Sequence, residues 1–274
     1  MKIAIQGELG SNSHMAALAM FSGVGELVIV ACSVSAEVFE RMVAGEVDGA
    51  VLPIENSLHG SVAEHYDLLL AQPVRIDRES LLPIRHNVMA MPGVRFEDVR
   101  RIMSHPVALA QCRRFLDQHR GLEVIPFYDT AGSVKHVMAA GLRDTAGVAP
   151  ALAAQQYGAA ILLDGIEDHA ANFTRFHLVV RDDRLRQEYR FINKMSLAFA
   201  IEHRPGTLVA ALERLTAVGV DLTKIESRPV PGSPWEYIFY VDVRFEEAAK
   251  ADAAVEVLEA HCRMVKELGR YAAA

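Results

Sequence analysis

The sequence predicts an α/β protein in which a larger domain is followed by a smaller one. Short apolar runs alternate with helical patterns through residue 182, which is typical of βαβ units in a mostly parallel sheet. A dense run of charged residues then begins at Asp182, and such a run is usually a solvated connector. After it, the pattern follows the β-α-β-β-α-β order of a ferredoxin-like unit. We therefore expect domains at residues 1–182 and 194–274, joined by a charged linker at 183–193.

The first domain is predicted from apolar runs of strand length and from segments of helical periodicity. The expected strands are 3–5, 27–31, 49–54, 88–91, 102–104, 124–127 and 146–149. The expected helices are 15–21, 62–70, 107–116 and 134–140.

Small polar residues occupy four of the junctions at which a strand ends and a helix begins. They lie around Ser11, at Asn56 and Ser57, at Ser104, and at Thr130. Each group could simply cap the free amides of its own helix, because Ser, Thr and Asn are common N-caps. Alternatively, the helix starts converge at the edge where parallel strands end, and their N–H groups and dipoles form a site for an anion. The second interpretation suits an acidic protein that binds an acidic metabolite.

The second domain is predicted from four strands and two helices after the charged run. The expected strands are 193–201, 220–228, 236–243 and 264–268, and the helices are 207–218 and 247–261. Pro205 and Gly206 stand at the start of the first of these helices. A small unit of this kind leaves sheet edges and helix faces that can pair with a second copy. We expect a homodimer or a homotetramer.

Composition excludes several classes of function. The net charge is −7 and the pI is about 5.9, whereas nucleic-acid and anionic-membrane surfaces need clustered Lys and Arg. No apolar run approaches the roughly 18 residues that span a bilayer. The three cysteines lie far apart without a CxxC pair, so neither a disulfide framework nor a zinc site is predicted. We expect a cytoplasmic protein with no nucleic-acid or membrane partner.

No cofactor is predicted. The string from Gly7 to Gly10 is neither a GxGxxG fingerprint nor a P-loop, so a nucleotide cofactor is not indicated. Four histidines lie near the expected edge of the site, but their spacing matches no HExxH or paired-ligand pattern. These are His14, His59, His65 and His105.

Several strings, taken in order, resemble the prephenate dehydratase family with its C-terminal ACT-type regulatory domain. In the first domain they are Gly7 with Gly10-Ser11 and Ser13-His14, Asp48 to Ser57 with Gly60-Ser61-Val62, Ser104-His105-Pro106 with Ala108 to Cys112, Tyr157-Gly158, Ile166-Glu167-Asp168 with Asn172, and Thr174-Arg175-Phe176. In the second domain they are Pro205-Gly206 with Leu208, and Glu226-Ser227-Arg228-Pro229 followed by Trp235-Glu236-Tyr237.

The resemblance implies a two-lobed catalytic domain similar to periplasmic binding proteins, followed by a ferredoxin-like βαββαβ ACT domain. It implies a carbon–oxygen lyase of L-phenylalanine biosynthesis that converts prephenate to phenylpyruvate, without a cofactor. Because the sequence starts at the first α/β strand and not with a helical chorismate mutase unit, we expect a monofunctional enzyme. Two alternatives stay open: dehydration of L-arogenate, and a non-catalytic sensor of an aromatic acid.

The resemblance also assigns expected roles to residues of the first domain. The Thr174 hydroxyl is expected to donate a proton to the departing hydroxyl of the substrate, while Arg175 holds a carboxylate. Phe176 packs the site wall or belongs to the core, and Glu55 tunes protonation or braces its loop. The expected substrate ligands are Ser11, Asn56, Ser57, Ser104, Gln111, Thr130 and Ala131.

For the second domain the resemblance implies binding of L-phenylalanine between paired copies and feedback inhibition of the first domain. The expected effector residues are His203, Pro205, Gly206, Thr207, Leu208, Val209, Glu226, Ser227 and Arg228. The family string Gly-Ala-Leu is Gly206-Thr207-Leu208 here, so the hydroxyl of Thr207 is expected to alter effector affinity. The alternative is a dimerisation unit that has lost its effector site.

Overall fold

The computed structural model describes residues 1–184, 191–230 and 235–274. Most of the expected linker, residues 185–190, therefore lies outside the described residues. The strands are β1 (Lys2–Gln6), β2 (Val28–Cys32), β3 (Gly49–Asn56), β4 (Gly60–Ser61), β5 (Val74–Pro83), β6 (Asn87–Ala90), β7 (Arg101–Ser104), β8 (Glu123–Pro126), β9 (Thr145–Ala149), β10 (Ala160–Leu163), β11 (Phe173–Arg181), β12 (Lys194–Ala200), β13 (Asp221–Pro229), β14 (Tyr237–Arg244) and β15 (Met264–Tyr271). The α-helices are α1 (Asn12–Met20), α2 (Ser35–Val43), α3 (Ala63–Ala71), α4 (Pro106–Ala110), α5 (Arg113–Gln118), α6 (Thr130–Ala139), α7 (Leu152–Tyr157), α8 (Thr207–Ala217) and α9 (Ala248–Glu259).

The predicted strands of the first domain are all present, and the helix starts differ where side chains cap them. Helix α1 begins at Asn12 because the Ser11 hydroxyl accepts a hydrogen bond from the His14 N–H. Helix α6 begins at Thr130, four residues earlier than predicted, because Asp129 accepts from the Gly132 N–H. The single helix predicted at 107–116 is wrong, since α4 and α5 form two short helices there.

Two of the three sheets belong mainly to the N-terminal two thirds of the chain. The first has the strand order β2-β1-β3-β11-β5, in which β1 runs parallel to β2 and to β3. The second has the order β10-β6-β9-β7-β8, in which β7 is parallel to β8 and β9 but β6 is antiparallel to β9 and β10. The strands therefore form two sheets and not one, and β6 with its two neighbours departs from the mostly parallel arrangement that was expected. An apolar run identifies a strand but does not fix the direction of its neighbours.

The third sheet confirms the predicted β-α-β-β-α-β order of the C-terminal part. Its strand order is β13-β14-β12-β15, and the described pairs are antiparallel. The helices α8 and α9 pack on it through an apolar core that includes Leu197, Phe199, Leu215, Val241 and Leu258. The alternation of buried and exposed residues along these strands is that of a sheet covered on one face.

By compactness the chain divides into two units. The first unit comprises residues 1–60 and 81–176, and the second comprises 61–80 and 177–274. Residues 61–80, which the sequence assigned to the first domain, group with the third sheet. The domain boundaries at 182 and 194 stay predictions, as does the two-lobed form similar to periplasmic binding proteins. Of the helices in the described ranges, none combines the length and the apolar character that crossing a bilayer requires.

Candidate active site

The end of β3 and the start of β11 meet through the side chain of Asn56. Its Oδ1 accepts hydrogen bonds from the backbone N–H groups of Leu58 and His59, both at 3.0 Å. A backbone N–H can only donate, so these two bonds fix which end of the amide is oxygen. The Nδ2 amino group then faces β11, where it lies 3.0 Å from Thr174 Oγ1 and 3.1 Å from the Phe173 carbonyl oxygen.

Three side-chain amides close a ring of hydrogen bonds beside Thr174. Asn56 Nδ2 donates to Asn172 Oδ1 at 2.8 Å, and Asn172 Nδ2 donates to Gln111 Oε1 at 3.0 Å. Gln111 Nε2 donates to Asn56 Oδ1 at 3.4 Å and so closes the ring. We call Asn56, Gln111 and Asn172 the amide ring. Asn172 is fully buried and Gln111 is 6% exposed, whereas Asn56 is half-buried, so the Asn172 and Gln111 side of the ring is shielded from competing water.

A buried histidine contacts the ring from outside. His86 Nε2 lies 2.8 Å from Gln111 Oε1, and His86 is 2% exposed. Because burial favours the neutral imidazole, the pKa of His86 is lowered, although Gln111 and Glu167 oppose the shift. On the other side of the ring, His59 Nδ1 lies 3.3 Å from Gln111 Nε2.

The predicted Thr174-Arg175-Phe176 string lies near the start of strand β11, directly after Phe173. Thr174 is 8% exposed and Arg175 is 7% exposed. One guanidinium nitrogen of Arg175 lies 3.1 Å from a carboxylate oxygen of Glu55, which is half-exposed. Phe176 is 1% exposed, as a core residue would be. Strand β11 thus carries the Thr174 hydroxyl and the Arg175 guanidinium next to the buried side chain of Phe176.

The first unit also contains a cavity of about 740 Å³. Three of the predicted polar junctions contribute to it, those at Gly7, His105 and Asp129. The lining residues are Gln6, Gly7, Glu8, Ala31, Cys32, Ser33, His105, Tyr128, Asp129 and Lys135. Gly7 has φ +95°, and a Cβ there would lie 2.6 Å from Asp129 Oδ2, so glycine is required at this wall. Thr174 and Arg175 are not among the lining residues.

Charges on the cavity wall are arranged around two carboxylates. Glu8 accepts from Tyr128 Oη at 2.7 Å and from Lys135 Nζ at 2.8 Å. Burial opposes ionisation of Glu8, but these two hydrogen bonds outweigh it and lower its pKa. Burial raises the pKa of Asp129, and it lowers the pKa of His105, whose ring also interacts electrostatically with His59 and Asp129.

Three other predicted substrate ligands, Ser104, Ser57 and Ser11, already have hydrogen-bond partners. Ser104 is fully buried and its hydroxyl donates to the Val148 carbonyl at 2.6 Å. Ser57 Oγ accepts from the Phe173 N–H at 3.0 Å, which ties the loop after β3 to β11. Ser11 caps α1, Thr130 opens α6, and Ala131 is fully buried. Their roles as substrate ligands stay predictions.

In the second unit, a cavity of about 230 Å³ lies at the start of α8. It is lined by Ile201, Glu202, His203, Arg204, Gly206, Thr207, Leu208, Val209, Tyr237 and Phe239. Gly206 caps α8 with φ +86°, a conformation that favours glycine. The Thr207 hydroxyl reaches the carbonyl oxygens of Glu202 and Arg204, each at 2.8 Å. Most of the predicted effector residues from 203 to 209 are thus brought together.

The remaining predicted effector residues lie elsewhere in the second unit. Arg228 donates to Asp67 on α3, with one nitrogen–oxygen distance of 2.6 Å. Glu226 accepts from the Ser61 hydroxyl at 2.7 Å. These two side chains connect β13 to residues 61–71 and are not among the residues lining the 230 Å³ cavity.

Sequence reasoning missed several residues of the first unit. Asn172 was noticed only as part of the resemblance, and His86 carried no motif at all. Glu8, Tyr128 and Lys135 had no signal because their partners are distant in the sequence. In residues 1–184, 191–230 and 235–274, no group of three or more His, Cys, Asp or Glu is placed to hold a metal ion.

A family model, a relative and a solved structure point to one family. The family model described as prephenate dehydratase matches residues 3–184. A relative named arogenate dehydratase/prephenate dehydratase 2, chloroplastic, from Arabidopsis thaliana is 38% identical over 284 residues, which cover 99% of this chain and 72% of the relative. The crystal structure of a prephenate dehydratase in complex with L-Phe from Arthrobacter aurescens has a TM-score of 0.90 and 31% identity, covering 100% of this chain and 90% of that one.

One further similar structure has a different description. It is named GqqA and called a novel type of quorum quenching acylase. Its TM-score is 0.89 and its identity 32%, covering 100% of this chain and 98% of that one.

Proposed function

Because this chain belongs to the prephenate dehydratase family, and is therefore a lyase that removes water from its substrate, we propose that it converts prephenate to phenylpyruvate. The observation that carries the proposal is the hydrogen bond from Asn56 Nδ2 to Thr174 Oγ1 at 3.0 Å. An amide nitrogen can only donate, so the threonine oxygen is the acceptor and its own proton points elsewhere. Thr174 is thereby poised to donate that proton to a substrate.

The reaction needs such a proton. In prephenate the bond between the ring and its carboxylate breaks, and the electron pair completes the aromatic ring while the carboxylate leaves as carbon dioxide. The bond between the opposite ring carbon and its hydroxyl breaks at the same time, and the hydroxyl takes one proton to leave as water. Thr174 supplies that proton and recovers one from solvent. The N–H of Asn56 stabilises the negative charge that grows on Thr174 Oγ1, which makes the weakly acidic alcohol a better donor.

Substrate binding is assigned to Arg175 and to the cavity wall. The planar fork of Arg175 suits a carboxylate, and its ion pair with Glu55 at 3.1 Å holds the fork in place. The side-chain carboxylate of prephenate is the group to be held, since tight binding of the ring carboxylate would oppose its loss. The 740 Å³ cavity of the same unit, whose wall includes His105 and Ser33, is proposed as the place that receives the ring.

L-Arogenate is the second candidate substrate. The curated relatives that match this chain include proteins named arogenate dehydratase and proteins named for both activities. Arogenate carries an ammonium group where prephenate has a keto oxygen, and the cavity wall presents two carboxylates, Asp129 and Glu8, the second of which is paired with Lys135. Opposite charges attract at such a wall, so this arrangement favours some activity on arogenate.

The second unit is proposed as an ACT-type regulatory domain that binds L-phenylalanine and inhibits the enzyme. Three observations support this: the β-α-β-β-α-β order, the 230 Å³ cavity at the N-terminus of α8, and the similarity to the Arthrobacter aurescens prephenate dehydratase, whose structure is a complex with L-Phe. The helix N-terminus suits the effector's carboxylate. Pairing of two copies through this unit is part of the proposal. A cytoplasmic location stays a prediction, since the plant relatives are named chloroplastic.

An acylase activity finds no support at this site. Acyl transfer by a serine or threonine uses a nucleophile hydrogen-bonded to a base. In the described part of the chain, the Ser104 hydroxyl donates to a backbone carbonyl and Thr174 accepts from an amide. Neither side chain has a histidine or carboxylate as its hydrogen-bond partner.

The test is turnover by the purified protein. Prephenate and L-arogenate are supplied separately, phenylpyruvate and phenylalanine are quantified by chromatography, and protein-free reactions serve as the reference. We expect phenylpyruvate from prephenate, with a rate that falls when L-phenylalanine is added. R175K is run beside the parent, because loss of the fork should raise KM by roughly tenfold. A parent that forms no product from either substrate would refute the proposal.

A further inference from the structure

The orientation of the Asn56 amide determines the direction of the hydrogen bonds in the amide ring beside Thr174. The backbone N–H groups of Leu58 and His59 force Asn56 Oδ1 toward themselves. Asn56 Nδ2 then donates to Asn172 Oδ1, so Asn172 must turn its own Nδ2 toward Gln111 Oε1. An oxygen that already accepts from Asn172 can take a second hydrogen bond only from a donor.

That second donor is His86. Its Nε2 lies 2.8 Å from Gln111 Oε1, so the tautomer with the proton on Nε2 is the one that fits. His86 Nδ1 is buried and has no hydrogen-bond partner among the described residues. A charged imidazole would leave a second N–H buried without an acceptor, which costs free energy. His86 is therefore held neutral, as a donor from Nε2 alone.

We infer that His86 and Asn172 are positioning residues for the dehydration reaction, because together they hold the amide ring in the one orientation that leaves the Thr174 proton free. This inference rests on the proposed function and deepens it. Both residues are buried, and the inference assigns them no contact with the substrate. If Gln111 turned its amide over, Nε2 would face the Nδ2 of Asn172, and Asn172 would have to turn as well. Asn56 Nδ2 would then lose Asn172 Oδ1, its nearest acceptor, and its hydrogen bond to Thr174 Oγ1 would weaken.

The role of His86 follows from the two directions in which the hydrogen bonds of the amide ring can run. A ring of three amides can run donor to acceptor in either direction, and the two directions differ little in energy by themselves. The two backbone donors at Asn56 favour one direction at one corner. At the opposite corner His86 Nε2 lies 2.8 Å from Gln111 Oε1, and the tautomer with the proton on Nε2 supports the same direction. His86, Gln111 and Asn172 are buried and Asn56 is half-buried, so a mismatched pair among the three buried side chains is costly.

The experiment compares three variants by kcat and KM on the better substrate. H86L removes the donor, H86Q places an amide N–H near the same point, and N172D leaves an acceptor where Gln111 needs a donor. We expect kcat to fall roughly 10- to 100-fold in H86L and N172D, with KM changed less than about threefold, and H86Q to recover most of the loss. H119L is the matched control, because His119 lies outside the amide ring, where its side chain hydrogen-bonds the Phe115 carbonyl and packs against Phe96 and Phe115.

Each result has a defined meaning. The inference is overturned if folded H86L or N172D keeps kcat within about twofold of the parent, or if H86Q is as impaired as H86L. Thermal unfolding of each variant is recorded, and if H86L does not fold, then N172D and H86Q decide the question. A parent that is inert on both substrates would refute the proposed function and the inference together, whereas an active parent with unaffected variants would refute the inference alone.

Discussion

Asn56 and Thr174 are 118 residues apart in the sequence, yet the amide nitrogen of Asn56 lies 3.0 Å from the hydroxyl oxygen of Thr174. The oxygen of the same amide is held by two backbone N–H groups at 3.0 Å. The hydroxyl therefore accepts from Asn56 and keeps its proton for another partner. This relationship gives a weak acid the orientation that a proton donor needs.

Replacement of Asn56 by aspartate tests the direction of that hydrogen bond. In N56D a carboxylate accepts the Thr174 proton, and we expect kcat to fall by about 100-fold with a smaller change in KM. Steady-state kinetics with prephenate measures both constants.

N87D is the matched control for N56D. Asn87 is a buried amide of the first unit, bonded to the Ala149 carbonyl and outside the amide ring. The interpretation fails if N56D keeps kcat close to that of N87D.

Removal of the Thr207 hydroxyl tests the proposed effector cavity. Thr207 reaches the carbonyl oxygens of Glu202 and Arg204 and so fixes the loop that lines the cavity. In T207A we expect the L-phenylalanine concentration for half-inhibition to rise roughly 2- to 10-fold, the equivalent of one hydrogen bond. T216A is the control on the same helix, since Thr216 bonds the Leu212 carbonyl away from the cavity. An unchanged response in T207A would argue against an effector at this cavity.

The ion pair between Lys194 and Glu79 is predicted to be essential for the stability of the second unit. Lys194 Nζ lies 2.9 Å from Glu79 Oε2, and both residues are buried. Burial opposes ionisation of Glu79, but the interaction with His177, whose Nε2 lies 3.8 Å from a Glu79 carboxylate oxygen, and the ion pair with Lys194 outweigh it and hold its pKa far below the usual range. K194M should lower the free energy of unfolding by about 3–5 kcal/mol, because it leaves a buried charge without its partner.

Chemical denaturation checks that value, with K2M at an exposed position as the control. Adding E79Q to K194M should recover part of the loss, since the uncompensated charge is removed. A double variant that is less stable than K194M alone would contradict this account.

The pH dependence of stability should follow the buried histidines. Burial lowers the pKa of His14 below its ordinary value of 6.5, and His14 Nδ1 must be unprotonated to accept from the Gly10 N–H at 2.9 Å. The unfolded chain therefore binds more protons than the folded one just below pH 6.5, so stability falls as the pH is lowered through that range. H14N keeps an acceptor that does not titrate, and it should show a smaller loss between neutral pH and acid in denaturation experiments. An equal loss in parent and variant would exclude His14 as a contributor.

Much of the first unit could be predicted from local patterns. The apolar run of β3 and the polar residues Asn56 and Ser57 that follow it are read directly from adjacent positions. Strand β11 was missed, because the buried polar side chains of Thr174, Arg175 and His177 interrupt its apolar pattern. The amino-acid sequence of β6 does not indicate that this strand runs antiparallel to its neighbours.

The amide ring could not be predicted by the same means. Asn56, Gln111 and Asn172 come from three segments that only the folded chain brings together. The resemblance drew attention to all three residues but not to their mutual hydrogen bonds. His86 had no signal, since a single buried histidine looks in sequence like any other. The direction of these hydrogen bonds depends on the positions of the side chains in the folded protein, which the order of residues does not give.

The most direct test of the central claim is kcat for T174V and T174S at saturating prephenate, measured beside the parent with thermal unfolding as the check on folding. Valine keeps the shape of threonine without the hydroxyl, whereas serine keeps the hydroxyl. If Thr174 donates the proton, T174V should lose roughly 100- to 10,000-fold in kcat, while T174S should stay within about tenfold of the parent. A folded T174V whose kcat stays within about tenfold of the parent would contradict the assignment of Thr174 as the proton donor.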